Sequence, residues 1–283
     1  MSKIKNIYSF GTSFSNAGGF EFDRKPHMVD FYKPLGIELD KTKVQYLYLL
    51  SKLLDNKMKC INFAKDGFGN ERVYRKIYDI TMGNGFKPEE NLFIIEFSDL
   101  GRKEFFVNKD NRYGIINYNV KGERDVEFRG SSYDYTKEIY SQNLYEVENL
   151  FKLLFRKTFD FNEEVDKVHS SIYKTISYLE LLKVPYILLE APSHLYDRNQ
   201  ITVLINEIYK KRLLTIKGDK IFKYLGGNGY TIKHETNGLV NDLHFGYHAN
   251  VIFSKMVYNK MIELKLILGT PYPLDDILSN SYI

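Results

Sequence analysis

A chain of 283 residues with 43% hydrophobic, 27% charged and 15% aromatic residues is long enough for a sizeable core, and it is neither disordered nor a coiled coil. Forty basic residues against 36 acidic ones leave a net charge of +4, which points to no nucleic acid and no membrane as partner. Cys60 is the single cysteine, so an internal disulfide and a thiolate metal site are both excluded.

The first apolar run, Ile4 to Phe10, stops at Gly11-Thr12-Ser13 and reads as a strand rather than a signal peptide. No apolar run is long enough to span a bilayer, so the chain is expected to stay in the cytoplasm of the cell that makes it or to leave by lysis or assembly. Val44, Leu47, Leu50 and Leu54 mark one face of a helix. Met58 to Ala64 predicts a second strand, closed by Asp66-Gly67, and Asn70 is expected to cap a helix carrying Val73, Ile77 and Ile80. Asn91 to Phe97 predicts a third strand, closed by Ser98-Asp99.

Lys103 to Tyr135 is polar, aromatic and punctuated by glycine, which reads as a hairpin or long loop inserted after the third strand. A helix with Val168, Ile172, Ile176 and Leu179 leads to a fourth strand, Pro185 to Glu190, stopped by Ala191-Pro192. Gly218 to Gly238 reads as a second irregular stretch, with a turn at Gly226-Gly227-Asn228-Gly229 followed by a short strand. An amphipathic helix from about Ala249 to Leu266 comes last. Strands alternating with helices imply an α/β fold: a central parallel sheet covered on both faces, right-handed crossovers, and one domain over 1–283 with an insertion at about 103–135.

Polar residues stand just beyond the strands. Ser13 follows the first, Gly67 the second and Ser98 the third, while Asp242 and His244 precede the last helix. A serine hydroxyl becomes a nucleophile when an imidazole takes its proton, and the imidazole needs a carboxylate to hold its tautomer. A glycine at a strand end lets a backbone N–H approach the developing oxyanion.

These blocks resemble the SGNH (GDSL) hydrolase superfamily over most of the chain. Phe10-Gly11-Thr12-Ser13-Phe14-Ser15 is similar to its first block, with Thr12 where Asp is usual. Asn62-Phe-Ala-Lys-Asp-Gly67 keeps the family spacing from Asn to the oxyanion-hole glycine, and Gly67-Phe-Gly-Asn70-Glu-Arg-Val resembles a wording found in part of the family. In the third block Glu96-Phe97-Ser98-Asp99 stands where the family has Gly-x-Asn-Asp, followed by Arg102. The last block is Asn241-Asp242-Leu243-His244-Phe-Gly246, in which the carboxylate lies two residues before the histidine rather than three.

The resemblance implies a flavodoxin-like three-layer α/β/α fold. It also implies a serine esterase acting on an acyl ester, acetyl foremost, of a small molecule or glycan. Its catalytic residues would be Ser13, Asp242 and His244, its oxyanion donors Ser13, Gly67 and Ser98, and its substrate-binding residues Arg102 and Asn70, with no cofactor and no metal. Glu96, at the end of a buried strand, needs a partner, and Arg102 is the expected one. His244 and His248 are four apart, a spacing that would put both imidazoles on one helix face. Cys60 is expected to be a buried small hydrophobe. Tyr113, Tyr118, Phe128, Tyr133 and Tyr135 of the insertion suit either stacking on sugar rings or packing the insertion onto the body. The departures from the family pattern motivate a rival reading, a catalytically weak or inactive SGNH-like binding or virion structural module. A flavin or nucleotide binder of the same fold lacks a phosphate cradle, since Gly11 to Gly19 matches no dinucleotide or P-loop spacing.

Overall fold

In the computed structural model, which describes residues 3–12, 15–17, 20, 26–37, 40–65, 69–98, 102–107, 112–122, 125–133, 149–150, 153, 155, 157–190 and 203–279, the apolar runs become parallel strands. In chain order the strands are β1 (Asn6–Phe10), β2 (Lys59–Asn62), β3 (Asn91–Phe97), β4 (Arg102–Val107), β5 (Arg112–Gly122), β6 (Asp125–Tyr133) and β7 (Tyr186–Glu190). The first sheet has the order β2-β1-β3-β7, and each of its neighbouring pairs is parallel. The chain runs from β1 outward to β2 and then crosses to β3 on the other side of β1. Polar segments that leave β1 and β3 therefore start from a topological switch point, where open α/β sheets place their ligands.

Side chains alternate across this sheet as the two-residue period requires. On one face Ile7, Leu92, Ile94, Ile187 and Leu189 pack against the Tyr46–Leu53 and Tyr247–Glu263 helices. On the other, Phe10, Phe93, Ile95, Phe97 and Leu188 meet Val73 and Ile77 of the Asn70–Thr81 helix and Ile172, Ile176 and Leu179 of the Phe161–Leu182 helix. Phe93, Ile94 and Ile95 are fully buried, and each such side chain stabilises the fold by roughly 1.5–3 kcal/mol.

The predicted helix at Val44 to Leu54 is divided. A short Lys41–Val44 turn, capped by Asp40, ends at Gln45, whose backbone is extended (φ −66°, ψ 139°), and the Tyr46–Leu53 helix begins there. Gln45 leaves the helical path because its amide is tied elsewhere, accepting from Asn62 Nδ2 at 2.9 Å and donating to the Asn16 carbonyl at 3.3 Å. Gly69, not Asn70, occupies the N-cap of the next helix.

Between β3 and β7 the chain forms a second sheet, antiparallel, in the order β4-β5-β6. Glu104 on β4 accepts from Arg75 Nη2 at 2.9 and 3.1 Å, and Tyr118 on β5 donates to Glu164 at 3.2 Å. Those two contacts hold the antiparallel sheet against the Asn70–Thr81 and Phe161–Leu182 helices.

Two expectations need correction. The stretch from Gly218 to Gly238 is largely helical: after the Thr215–Ile216 and Asp219–Lys220 strand pair, Ile221–Gly227 forms a helix that buries Ile221, Phe222 and Leu225, and Ile232–Glu235 forms another. Its glycines end a helix whose apolar side sequence inspection passed over. The Tyr247–Glu263 helix is also not amphipathic, since every residue from Ala249 to Phe253, together with Ser254 and Lys255, is buried. The helix is covered on more than one side, by the Tyr46–Leu53 helix and by a closing segment that carries Ile267 and Ile277. Among the described residues no helix is long and apolar enough to cross a membrane.

Candidate active site

Asp242 and His244 are brought together. The Asp242 carboxylate accepts from His244 Nδ1 at 2.7 Å, and the same oxygen accepts the His244 backbone N–H at 2.8 Å. The two-residue spacing makes this possible, because the aspartate side chain closes a turn on the main chain two residues ahead and meets the ring from the same position. A carboxylate on Nδ1 keeps the proton of the neutral ring there and leaves Nε2 as the basic nitrogen. Asn241 is exposed. The Asp242 side chain is 12% exposed and the His244 ring 34%, so the pair opens to solvent on the imidazole side.

The segment bearing this pair is held by main-chain bonds. Ile232 N–H donates to the His244 carbonyl at 2.8 Å, Lys233 N–H to the Asp242 carbonyl at 2.8 Å, and Gly246 N–H to the Tyr230 carbonyl at 3.0 Å. Gly246 is the N-cap of the following helix. The helix therefore begins at Tyr247, and His244 lies outside it; the four-residue spacing to His248 does not stack the two rings on a helix face. His248 pairs with another acid, Glu235, whose Oε1 accepts from His248 Nδ1 at 2.9 Å and from His248 N–H at 3.2 Å. Tyr32 donates to the remaining oxygen of Glu235 at 2.9 Å. Burial and the neighbouring Glu235 push the Tyr32 hydroxyl well above the usual tyrosine range. Glu235 escaped sequence reading. The only available signal was Gly246: a Cβ there would overlap the Glu235 carboxylate.

Near the carboxyl end of β3, Glu96 is fully buried and meets the loop after β1. Its Oε2 accepts Thr12 N–H at 3.0 Å and Ser15 N–H at 2.9 Å, and its Oε1 accepts the Thr12 hydroxyl in a short contact. The expected partner was Arg102; the groups found on the carboxylate belong to Thr12 and Ser15. Arg102 opens β4, with its backbone beside Gly69. Gly11 is required by close approach, since a Cβ at that position would lie 2.5 Å from Glu96 Oε2 and 2.6 Å from Glu96 Cβ. Asn62 holds the same loop from β2, donating to the Ser15 carbonyl at 3.1 Å.

Asn70 and Ser98 are also joined. Asn70 Oδ1 accepts Ser98 N–H at 2.7 Å and its Nδ2 donates to the Ser98 carbonyl at 3.1 Å, a two-way clamp on the chain as it leaves β3. This clamp engages both sides of the Asn70 amide and the Ser98 N–H. Ser13 and Gly67 lie outside the described residues. Tyr118 packs with Phe155 and Phe159, ring centroids 4.8 and 6.3 Å away. Its role is to pack the insertion, while the side chains of Tyr113, Phe128, Tyr133 and Tyr135 lie outside the description. Cys60, on the edge strand β2, is half-buried rather than buried, and desolvation pushes its thiol up to about 11.

No family model matches the chain, and no curated protein or solved structure matches it. The helix after His244 and strand β1 are linked through Tyr46, whose N–H donates to Asn250 Oδ1 at 3.2 Å and whose hydroxyl lies 2.6 Å from Ser9 Oγ on β1. Asn250, one turn into the helix after His244, also donates to the Gly246 carbonyl at 3.0 Å. Burial, reinforced by the nearby Glu96, raises the Tyr46 pKa, so its hydroxyl stays protonated and keeps this link neutral.

Proposed function

We propose that this chain is a serine esterase of the SGNH type, with a flavodoxin-like three-layer fold, that releases an acyl group, acetyl foremost, from an ester of a small molecule or glycan. The observation that carries the reading is the 2.7 Å bond between Asp242 and His244 Nδ1, which prepares Nε2 as a general base. Ser13 Oγ attacks the ester carbonyl as His244 Nε2 takes its proton, and the imidazolium is stabilised by Asp242. The tetrahedral intermediate collapses when His244 returns that proton to the leaving alcohol. Water, deprotonated by the same nitrogen, then releases the acid from the acyl-serine.

The donors proposed for the oxyanion are the N–H groups of Ser13 and Gly67 and the Ser98 hydroxyl. This choice agrees with the bonding around them: the N–H groups of Thr12, Ser15 and Ser98 already have acceptors. Arg102 and Asn70 border this region; Asn70 acts by shaping the Ser98 backbone.

Exposure to a fluorophosphonate, followed by intact-mass measurement and peptide mapping, tests the reading without a guess at the ester. A single adduct on Ser13 that is absent from His244→Ala is expected. Folded protein that carries no adduct would leave a binding or virion structural module as the better reading.

A further inference from the structure

We propose that Glu96 anchors the loop after β1 and thereby acts as a positioning residue: its buried carboxylate grips the main chain at Thr12 and Ser15, which flank in sequence the serine that the esterase reading makes the nucleophile. The inference rests on the esterase reading for its catalytic consequence, but the grip itself is independent of that reading.

Three donors converge on this carboxylate, the N–H of Thr12 one residue before the serine, the N–H of Ser15 two residues after it, and the Thr12 hydroxyl. The turn is closed from within by Asn16 N–H on the Thr12 carbonyl at 3.1 Å, and Asn62 holds the Ser15 carbonyl from β2. Glu96 itself stands on the strand flanked by β1 and β7, in register one residue beyond the Ile95–Phe10 pair, so its base cannot shift without disturbing the sheet. A buried carboxylate that loses its donors is left desolvated and unpaired, so loop displacement carries an electrostatic penalty as well as the loss of hydrogen bonds. Gly11 completes the arrangement by leaving the space that the Glu96 side chain crosses.

If hydrogen-bond geometry is what matters, Glu96→Gln should retain function, because its amide oxygen still accepts both N–H groups and its Nε2 can face the Thr12 oxygen as donor. Glu96→Asp keeps the charge but is one methylene short of both donors. Displacing a reacting group by about 1 Å costs roughly 100-fold in rate. The fluorophosphonate labelling rate of Ser13 should therefore fall about 100-fold in Glu96→Ala and about tenfold or more in Glu96→Asp, and change by less than about tenfold in Glu96→Gln. With p-nitrophenyl acetate the loss should fall on kcat rather than KM. Hydrogen exchange at the amides of Thr12 and Ser15 provides a readout that needs no activity: protection should persist in Glu96→Gln and be lost in Glu96→Asp and Glu96→Ala. Labelling at the wild-type rate in folded Glu96→Ala, or Asp outperforming Gln, overturns the proposal. A wild-type protein without an adduct defeats the esterase reading alone, and exchange at the two amides then decides whether Glu96 anchors the loop. Should Glu96→Ala fail to fold, the Gln against Asp comparison decides the question.

Discussion

Two glutamates, Glu96 behind the loop after β1 and Glu235 behind the helix after His244, use one construction. Each has a nearly buried side chain, each accepts main-chain N–H from a segment distant in sequence, two groups for Glu96 and one for Glu235, and each occupies the space where a glycine lacks a Cβ, Gly11 in one case and Gly246 in the other. Their surroundings differ. Glu96 is sealed at the end of the central strands, whereas Glu235 lies beside a segment whose His244 ring is 34% exposed. A nucleophile must be held still, while a histidine that exchanges protons with substrate and water must reach solvent. On the esterase reading proposed above, the same anchor serves rigidity on one side and an open imidazole on the other.

The largest effect expected in this comparison comes from removing the charge that serves the exposed side. Asp242→Asn should slow turnover and Ser13 labelling by about 10⁴-fold, because an amide offers Nδ1 the wrong partner, whereas Asn241→Ala should change either by less than about threefold. A reversed order would place the supporting group at 241. Next comes Gly246→Ala, which forces the Glu235 carboxylate off His248 and Tyr32 and should destabilise the fold by about 3 kcal/mol in urea titration. A midpoint equal to that of the wild type would show that Glu235 does not need that space.

Of similar size by pH 11, and smaller below it, is the alkaline response of the buried tyrosines. Tyr32, Tyr46 and Tyr186 all have pKa values raised above the unfolded value near 10, burial being the main cause in each. Their contribution to stability is complete below pH 10 and declines above it, since the unfolded chain releases protons that the folded one retains. Thermal unfolding followed from pH 8 to 11 should show a loss of about 1.4 kcal/mol per tyrosine for each pH unit above 10. A melting temperature that holds level across that range would contradict their burial as neutral hydroxyls. The smallest effect is local to Cys60: with its thiol pushed up to about 11, alkylation at pH 7.5 should run on the order of 100-fold slower in the folded protein than in urea, with little consequence for stability.

How far the sequence could be read depended on the distance between interacting groups. β3 was legible to its last residue because seven successive buried positions bounded by turn signals leave few alternatives. The aspartate and histidine were legible from the order of the blocks and from the need of an imidazole for a carboxylate, although their two-residue spacing departs from the usual three. The helix at Ile221–Gly227 was not, since a single buried side of Ile221, Phe222 and Leu225 is too short a pattern to outweigh the glycines that follow it. Glu96 was rightly noticed as an acid in need of partners, but a choice between Arg102, six residues away, and Thr12, eighty-four away, depends on which strand lies alongside.

Patterns among near neighbours in the chain therefore determined the strands and the alternation with helices that implies a parallel sheet, while the choice of Asp242 and His244 also drew on the order of the family-like blocks. The tertiary structure decided what the buried carboxylates bind, where the last helix begins, and which faces of that helix are covered. A glutamate's donors are whatever main chain the fold brings to it, and in Glu96 and Glu235 that chain comes from eighty-one or more and from thirteen or more residues away.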